Sequence, residues 1–568
     1  MGTTLVTMKK YIGIFLLFFL LSLVITYPLI FHLSTYSLGK GDELLITWIL
    51  NWDIHAFLTN PIHIFDANIF YPYAHTLSFS EPFFSSALLA LIPTLILKNP
   101  LVAYNTNIIL SLALLGFSTY CLVFYLTKKS FGAIIAGLLV SFSPFTLGRL
   151  FQLQVISIQW IPLSLLFFIR FLKDGKAKNA AFTSLFFILQ VSNSFLPGYF
   201  LVLCYGVIIT LFLLSKRISP ARLCTTMNIC IFSITAAVTI LLGMPYFKTS
   251  KTFHYVRDIR DTIQFANRPE YTFYPNGRTR LEKVFLKSIY ANDKGPFRYD
   301  GYWGLALVIL FVFSCAAFFR IKKERKFFPL IFLLTAIFSF ALSLGPAFQW
   351  GGKVIKQPFI IPLPYAVFYY LVPGFNGIRN SGRWEMLTVF AASVFVGLLL
   401  NELLRKKTKL FLVIIAIGIL AEINVPFTYY QLSAKKDFPP VYIFIDTLPK
   451  KTAIIELPIF SWDVQPYSNI EFMREYYSTL HFRNTVNGYS GFSPKEWELN
   501  TKFLTKGFPD GKTISYLRKI NVNYVILHKD DYDKLPGFSF ERIKNNIDMF
   551  PELQFVERFE NDYVYKLN

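Results

Sequence analysis

GKGDELLITWILNWDIHAFLTNPIHIFDANIFYPYAHTLSFSEP, residues 39–82, follows directly on the first long apolar run of the chain. Asp42 and Glu43 stand side by side between a Gly-Lys-Gly turn and a segment of helical period. On that helix Glu43, Thr47, Asn51 and His55 recur at every fourth position, a narrow polar stripe among Leu45, Trp48, Ile49, Trp52 and Phe57. A Pro- and aromatic-rich passage with Asp66, Asn68, Tyr71, Tyr73 and His75 comes next and closes on Glu81-Pro82. The pair of acids therefore lies within a few residues of a membrane-length apolar segment, where a carboxylate would meet the lipid–water boundary.

Outside this stretch the chain reads as a membrane protein. Of its 568 residues 54% are hydrophobic and only 16% charged, against about 25% charged in soluble proteins. The net charge of +22 is not gathered on a binding face. It sits in short clusters between apolar runs, as the positive-inside rule requires, and no nucleic-acid-binding signature accompanies it. All five cysteines (Cys121, Cys204, Cys224, Cys230 and Cys315) fall in or beside apolar runs. That pattern implies neither a disulfide framework nor a thiolate metal site. The uncharged run at 11–32 follows Lys9-Lys10 and has no small-residue cleavage site after it, so it reads as a retained first span.

Further spans are expected at 101–126, 131–147, 155–171, 180–196, 199–214, 224–246, 302–319, 327–344, 384–404 and 410–427, about eleven in all. The shorter runs at 83–97 and 359–371 carry prolines and suit interfacial or re-entrant helices. With the N-terminus in the cytoplasm, this count puts the basic connections at Lys128-Lys129, Lys173–Lys178, Lys216–Arg222, Arg320–Lys326 and Arg405–Lys409 inside. Residues 33–100, 247–301, 346–383 and everything after about 430 then lie outside. Two domains follow: a multi-pass membrane domain over 1–430, holding the outer loop 33–100, and an extracytoplasmic domain over 431–568. In the latter, strand-like runs at 453–459, 522–528, 553–559 and 563–567 alternate with helical runs at 469–480 and 513–520, a small α/β pattern. The segment 254–265 alternates charge and predicts an amphipathic surface helix.

Each polar residue of interest has a plain structural reading beside the chemical one. Asp42 suits an N-cap and Glu43 a first helical turn. A carboxylate held at the boundary also suits a general base acting on an acceptor hydroxyl, with Asp42 first, Glu43 beside it and Asp66 as the alternative acid. The stripe with Asn51 and His55 is either a wet helix edge or substrate lining. His55 and His63 lack the spacing of metal ligands. Asp66 and Glu81 suit turn caps, and Glu81 also lines the same loop. On the same side of the membrane stand Arg149, Gln152 and Gln159 between the third and fourth spans, with Asn193 and Tyr199 between the fifth and sixth. Arg379 and Arg383 precede the tenth. Basic residues at the outer end of a span oppose the positive-inside trend, and a guanidinium pairs well with phosphate. An ion pair with Glu385, or contact with lipid headgroups, is the structural alternative for these arginines. P-loop, kinase, GxSxG and HExxH motifs are absent, so an energy-supplying nucleotide is not implied.

One long helix, an outer loop with an acidic pair, about ten more helices and an outer C-terminal domain together resemble the GT-C superfamily of integral membrane glycosyltransferases. The likeness extends to protein O-mannosyltransferases, the lipid A aminoarabinose transferase and a bacterial multi-pass group. It is carried by GDELLITWILNW, FDANIFYP with SEP, AYN (103–105), SFSPF (141–145) with QWIP (159–162), and GIRNSGRW. The resemblance implies a polyprenyl-phosphate sugar as donor and an inverting transfer to an acceptor glycan, lipid or protein. Asp42 would be the base, with Arg379, Arg383 and Arg149 on the donor phosphate. Asn51, His55, Glu81, Gln152, Gln159, Asn193 and Tyr199 would line the substrate. No cofactor is demanded; a divalent metal stays open, because this chain shows one adjacent acidic pair and not a set of metal-holding acids from two loops. The expected place is the cytoplasmic (inner) membrane among its lipids. Two other readings remain at this point: a transporter or flippase for a lipid-linked sugar, and a non-catalytic assembly protein.

Overall fold

The computed structural model describes residues 2–218, 223–273, 301–351, 353–355, 360–403, 418, 422, 427–460 and 469–568. It is an α-helical multi-pass membrane protein with a small α/β region at its C-terminal end. Seven helices among the described residues are long and apolar enough to cross a membrane: Met8–Ile25, Leu101–Thr127, Ser130–Leu147, Leu153–Asp174, Phe195–Leu214, Thr226–Phe253 and Ser381–Leu400. Leu305–Arg320 and Phe327–Ser343 are shorter apolar helices at expected spans, and Ala177–Val191 forms a helix at another. The span expected at 410–427 lies almost wholly outside the described residues, as do Arg222 and the basic cluster at 405–409.

The chain divides into two compact units. The first comprises Met1–Phe31, Asn107–Leu242 and Tyr255–Thr428. Its core helix is Glu385–Leu403, apolar on every side and buried along nearly its whole length. It packs against Ser130–Ser141, Leu305–Arg320 and Phe327–Ser343. Small residues permit the close approach: a Cβ on Gly397 would meet the Gly132 carbonyl and the Ala136 Cβ, each at 2.7 Å. The first helix, Gly2–Ile25, is largely exposed on its surface but drives Phe18 into the space left by Gly116 and Gly137. Glu422 satisfies the start of Leu305–Arg320, accepting from the Ala306 N–H at 3.2 Å while Tyr302 Oη donates to it at 3.2 Å. The helix expected over 254–265 is only Ile259–Gln264. Asp258 caps it, accepting from the Arg260 N–H at 2.8 Å, so the charged residues before it stay outside the helix.

The second unit comprises His32–Thr106, Gly243–His254 and Tyr429–Asn568. Its sheet has strands β1 (Ala453–Leu457), β2 (Asn484–Thr485), β3 (Tyr524–His528), β4 (Leu553–Phe559) and β5 (Asp562–Leu567). The spatial order is β2-β1-β3-β5-β4, with β1 parallel to β2 and β3, and β5 antiparallel to β3 and β4. Val441, Tyr442, Ile445, Leu448, Ile454, Ile526 and Val564 form its apolar core. The loop at 60–83 extends the edge at β2: Thr485 N–H donates to Asn68 O at 2.7 Å, and Phe70 and Tyr71 N–H donate to Asn487 O and Thr485 O, both at 2.9 Å. A second ribbon pairs Tyr36–Ser37 with Tyr430–Gln431. The run at 83–97 is a single helix, Phe84–Leu97, with Pro93 inside it. Its start is buried, and Leu88, Ile92 and Leu95–Leu97 are exposed, as an interfacial helix requires.

Candidate active site

The acidic pair opens the helix Asp42–Thr59, which is buried on nearly every face. Asp42 is not its N-cap, as the sequence reading allowed: Gly41 holds that position, and Asp42 is the exposed first helical residue. Glu43 instead steadies the turn before the helix, its Oε2 accepting the Gly41 N–H at 3.2 Å. Gly39 is needed beneath it, because a Cβ there would land on the Glu43 carboxylate. Burial raises the pKa of Glu43, opposed by the backbone N–H groups of Glu43 and Gly41 and reinforced by the charge of Asp42. The C-terminal helix Asn469–Ser478 packs along this one, with Phe472 beside Gly41.

The polar stripe below the tip is not a wet edge. Glu43, Thr47 and Asn51 are buried, because Asn469–Ser478 and the segment after the helix cover it. Thr47 Oγ1 donates to Glu43 O at 2.7 Å; Asn51 Nδ2 donates to Thr47 O at 2.7 Å and to Pro100 O at 2.9 Å. His55 stacks on Phe482 with ring centres 4.2 Å apart. Burial and the nearby Lys450, Lys435 and Arg483 lower its pKa. Asp66 organises its loop, accepting the His75 N–H at 2.9 Å and facing the ring nitrogens of His63 at 3.1 Å and His75 at 3.2 Å. Partial burial works against its charge, but those bonds and charges hold its pKa below the usual carboxylate value. Glu81 is half-buried next to Ser80, whose carbonyl accepts from Tyr246 Oη at 2.8 Å.

One acid escaped the sequence reading. Asp53 is 0% exposed, and neither carboxylate oxygen has a hydrogen-bond partner among the described residues. Burial alone raises its pKa well above the ordinary carboxylate value. It lies off the stripe, and nothing local distinguishes it in Asn51-Trp52-Asp53. A larger network also went unread. Glu456 at the end of β1 meets His528 Nε2 at 3.1 Å, and His528 Nδ1 meets Asp562 at 2.7 Å. Arg474 pairs with Glu471 at 2.7 Å and with Asp531 at 2.8 Å. Among the described residues no three His, Cys, Asp or Glu side chains gather closely enough to hold a metal ion.

The arginines belong to the other unit. Arg149 is buried, donating from Nη1 to Gln152 Oε1 at 2.8 Å and lying over the Phe145 ring at 5.4 Å. Gln159 is fully buried, and its side-chain amide finds no partner among the described residues. Asn193 Nδ2 donates to Ser157 Oγ at 2.6 Å. Tyr199 Oη donates to Pro373 O at 2.7 Å, and its ring meets Phe375 edge-on. The turn at 148–159 is thus tied to Asn193, and the start of Phe195–Leu214 to the segment that leads to the two later arginines. Arg379 and Arg383 do not share a helix face. Arg379 is in an irregular stretch, its guanidinium 4.4 Å from the centre of the Phe265 ring, and Arg383 is in the 3-10 turn Ser381–Trp384. Glu385 is not their ion-pair partner. Its carboxylate accepts from Asn267 Nδ2 at 2.9 Å, from Ser343 Oγ at 2.6 Å and from Trp303 Nε1.

Among solved structures the chain is similar to GT-C enzymes. An oligosaccharyltransferase from Archaeoglobus fulgidus, tethered to an acceptor peptide, matches at 13% identity and a TM-score of 0.46, over 91% of this chain and 69% of that one. ArnT from Cupriavidus metallidurans, bound to undecaprenyl phosphate, matches at 11% identity and a TM-score of 0.40, over 100% and 98%. Archaeal AglB from Archaeoglobus fulgidus, with an inhibitory peptide and a dolichol-phosphate, matches at 13% identity and a TM-score of 0.42, over 99% and 74%. At these scores the likenesses carry no argument about site or substrate. No curated protein sequence matches the chain. A family model does, over residues 11–421, and by that match the chain belongs to the family described as a domain of unknown function, DUF6311.

Proposed function

We propose that this protein is a glycosyltransferase moving a sugar from a polyprenyl phosphate to an acceptor at the outer face of the cytoplasmic membrane. The observation that carries the reading is Asp42, an exposed carboxylate on the tip of an otherwise buried helix. Glu43 and Gly39 fix that tip, and it follows closely on the first apolar helix. An exposed carboxylate on a backbone held in place is what general-base catalysis needs. The basic connections between apolar helices support an N-terminus inside and a C-terminal domain outside.

In the proposed reaction Asp42 takes the acceptor hydroxyl proton as that oxygen attacks the anomeric carbon. The bond from that carbon to the phosphate oxygen breaks, and its electron pair leaves on the lipid phosphate with inversion at carbon. Arg379, Arg383 and Arg149 balance the charge that develops there. Asp42 then returns its proton to water. Glu43 holds the tip, Asp66 is the alternative acid, and Asn51, His55, Glu81, Gln152, Gln159, Asn193 and Tyr199 are the substrate-lining residues of this proposal. A transfer assay with purified protein, a polyprenyl-phosphate sugar and an acceptor glycan tests it. Arg379→Ala or Arg383→Ala is expected to raise the donor concentration needed more than it slows turnover.

A further inference from the structure

We infer that Glu385 is a positioning residue: through Asn267 and Phe265 it sets where the Arg379 guanidinium stands. The inference rests on the proposed function for its consequence, donor binding, but not for its geometry.

Glu385 is fully buried at the start of the core helix, and its two oxygens are shared among three donors. Oε2 takes Asn267 Nδ2 at 2.9 Å and Ser343 Oγ at 2.6 Å; Oε1 takes Trp303 Nε1. These donors come from three separate stretches of chain. Asn267 is pinned further by its own backbone, whose N–H donates to Ser343 O at 2.9 Å, and by Gly301, where a Cβ would collide with its side-chain amide. Two residues back, Phe265 O accepts the Gly382 N–H at 3.2 Å, and the Phe265 ring lies under Arg379 at 4.4 Å. Ser381 Oγ donates to Thr262 O at 3.2 Å on the same seam. The segments 262–267 and 379–385 are thus laced side by side, and Glu385 is the knot at their base. Gly382 allows the lacing, since a Cβ there would stand 2.9 Å from Phe265 O.

Only an acceptor at both oxygens satisfies this arrangement. A glutamine would turn an NH₂ toward either the Trp303 or the Asn267 donor and break one bond whichever way it faced. The ring under Arg379 would then shift, and a cation held over an aromatic face is sensitive to its position.

The test uses the full chain in detergent or nanodiscs, with undecaprenyl phosphate as probe. Hydrogen exchange is read over 262–268 and 378–384, alongside lipid-phosphate affinity and thermal unfolding. Glu385→Gln is expected to speed exchange in both segments and weaken undecaprenyl phosphate binding on the order of tenfold. Phe265→Leu leaves the Glu385 bonds in place and is expected to weaken binding similarly, without added exchange at 340–345. Should Glu385→Gln not fold, Phe265→Leu and Asn267→Ala carry the same test. Unchanged exchange in Glu385→Gln, or weakened folding with unchanged affinity in Glu385→Gln and Phe265→Leu, would overturn the positioning role. Should the wild type bind no undecaprenyl phosphate, the proposed function falls and the positioning role with it, and faster exchange in Glu385→Gln then shows only that Glu385 holds the two segments together.

Discussion

The Glu43 carboxylate accepts the Gly41 N–H at 3.2 Å and lies over Gly39, where an added Cβ would displace it. Glu43 thus steadies the turn that leads into the helix, and Asp42 stands exposed at the tip. Gly39→Ala is expected to expel the Glu43 side chain and cost about 1 kcal/mol of stability. A double-mutant cycle with Glu43→Ala checks this: once the Glu43 carboxylate is gone, Gly39→Ala should add little. Equal losses in both backgrounds would detach the two residues.

Asn68 ties the loop at 60–83 to the C-terminal sheet. It is buried, accepts Trp48 Nε1 at 3.1 Å, and donates to Arg483 O at 3.2 Å. Asn68→Ala leaves the indole N–H of Trp48 buried without an acceptor, at a cost of about 1–3 kcal/mol. Thermal unfolding of the purified chain reads the loss. Added hydrogen exchange at 483–487 as well as at 45–50 would locate it on both sides of the tie.

His528 makes the C-terminal unit sensitive to alkali. Burial and the charge of Arg474 push its pKa down, but hydrogen bonds that the ring donates to the Asp562 and Glu456 carboxylates outweigh them and raise it to about 9. A folded-state pKa above the unfolded value near 6.5 means the stabilisation is complete below that value and is lost as pH rises through about 9. Unfolding temperature should therefore fall between pH 7 and pH 10. In His528→Gln it should already be low at pH 7 and change little over the same range.

Arg474 lies between Glu471 at 2.7 Å and Asp531 at 2.8 Å, with all three largely buried. Arg474→Leu removes the only cation within bonding distance of both among the described residues. The cost of breaking a buried pair in this way is about 3–5 kcal/mol. Calorimetry on the full chain measures it, and a loss under about 1 kcal/mol would mean that water reaches these carboxylates.

The long apolar helices and four of the five strands of the sheet were legible because each is written in contiguous residues, whereas β2 and the helices Pro440–Thr447, Lys495–Gly507 and Phe540–Ile547 were not read. The uncharged run inside Leu101–Thr127 and the strand pattern at Ala453–Leu457 need no distant partner to be read. What could not be read is cover supplied from far along the chain. The stripe Glu43-Thr47-Asn51 has the period of a wet edge, yet it is buried by residues beyond 469. Asn68 finds its partners at Ser478 and Arg483, more than 400 positions away. Glu385 looked like a mate for Arg379 and Arg383 because they are neighbours in sequence. Its actual donors come from 267, 303 and 343. Asp53 carries no local mark because its distinction is an absence of partners, visible only once the helix is packed.

The central claim is that Asp42 is the base of a sugar transfer. Asp42→Asn keeps the size and hydrogen-bonding shape of the side chain, and thermal unfolding of the variant is read beside its activity to separate chemistry from folding. The direct measurement compares transfer rates of wild type and Asp42→Asn, purified, with a polyprenyl-phosphate sugar at saturation. The account predicts a fall of about 10²–10⁴-fold in turnover, with the half-saturating donor concentration unchanged. Full turnover in Asp42→Asn would contradict it.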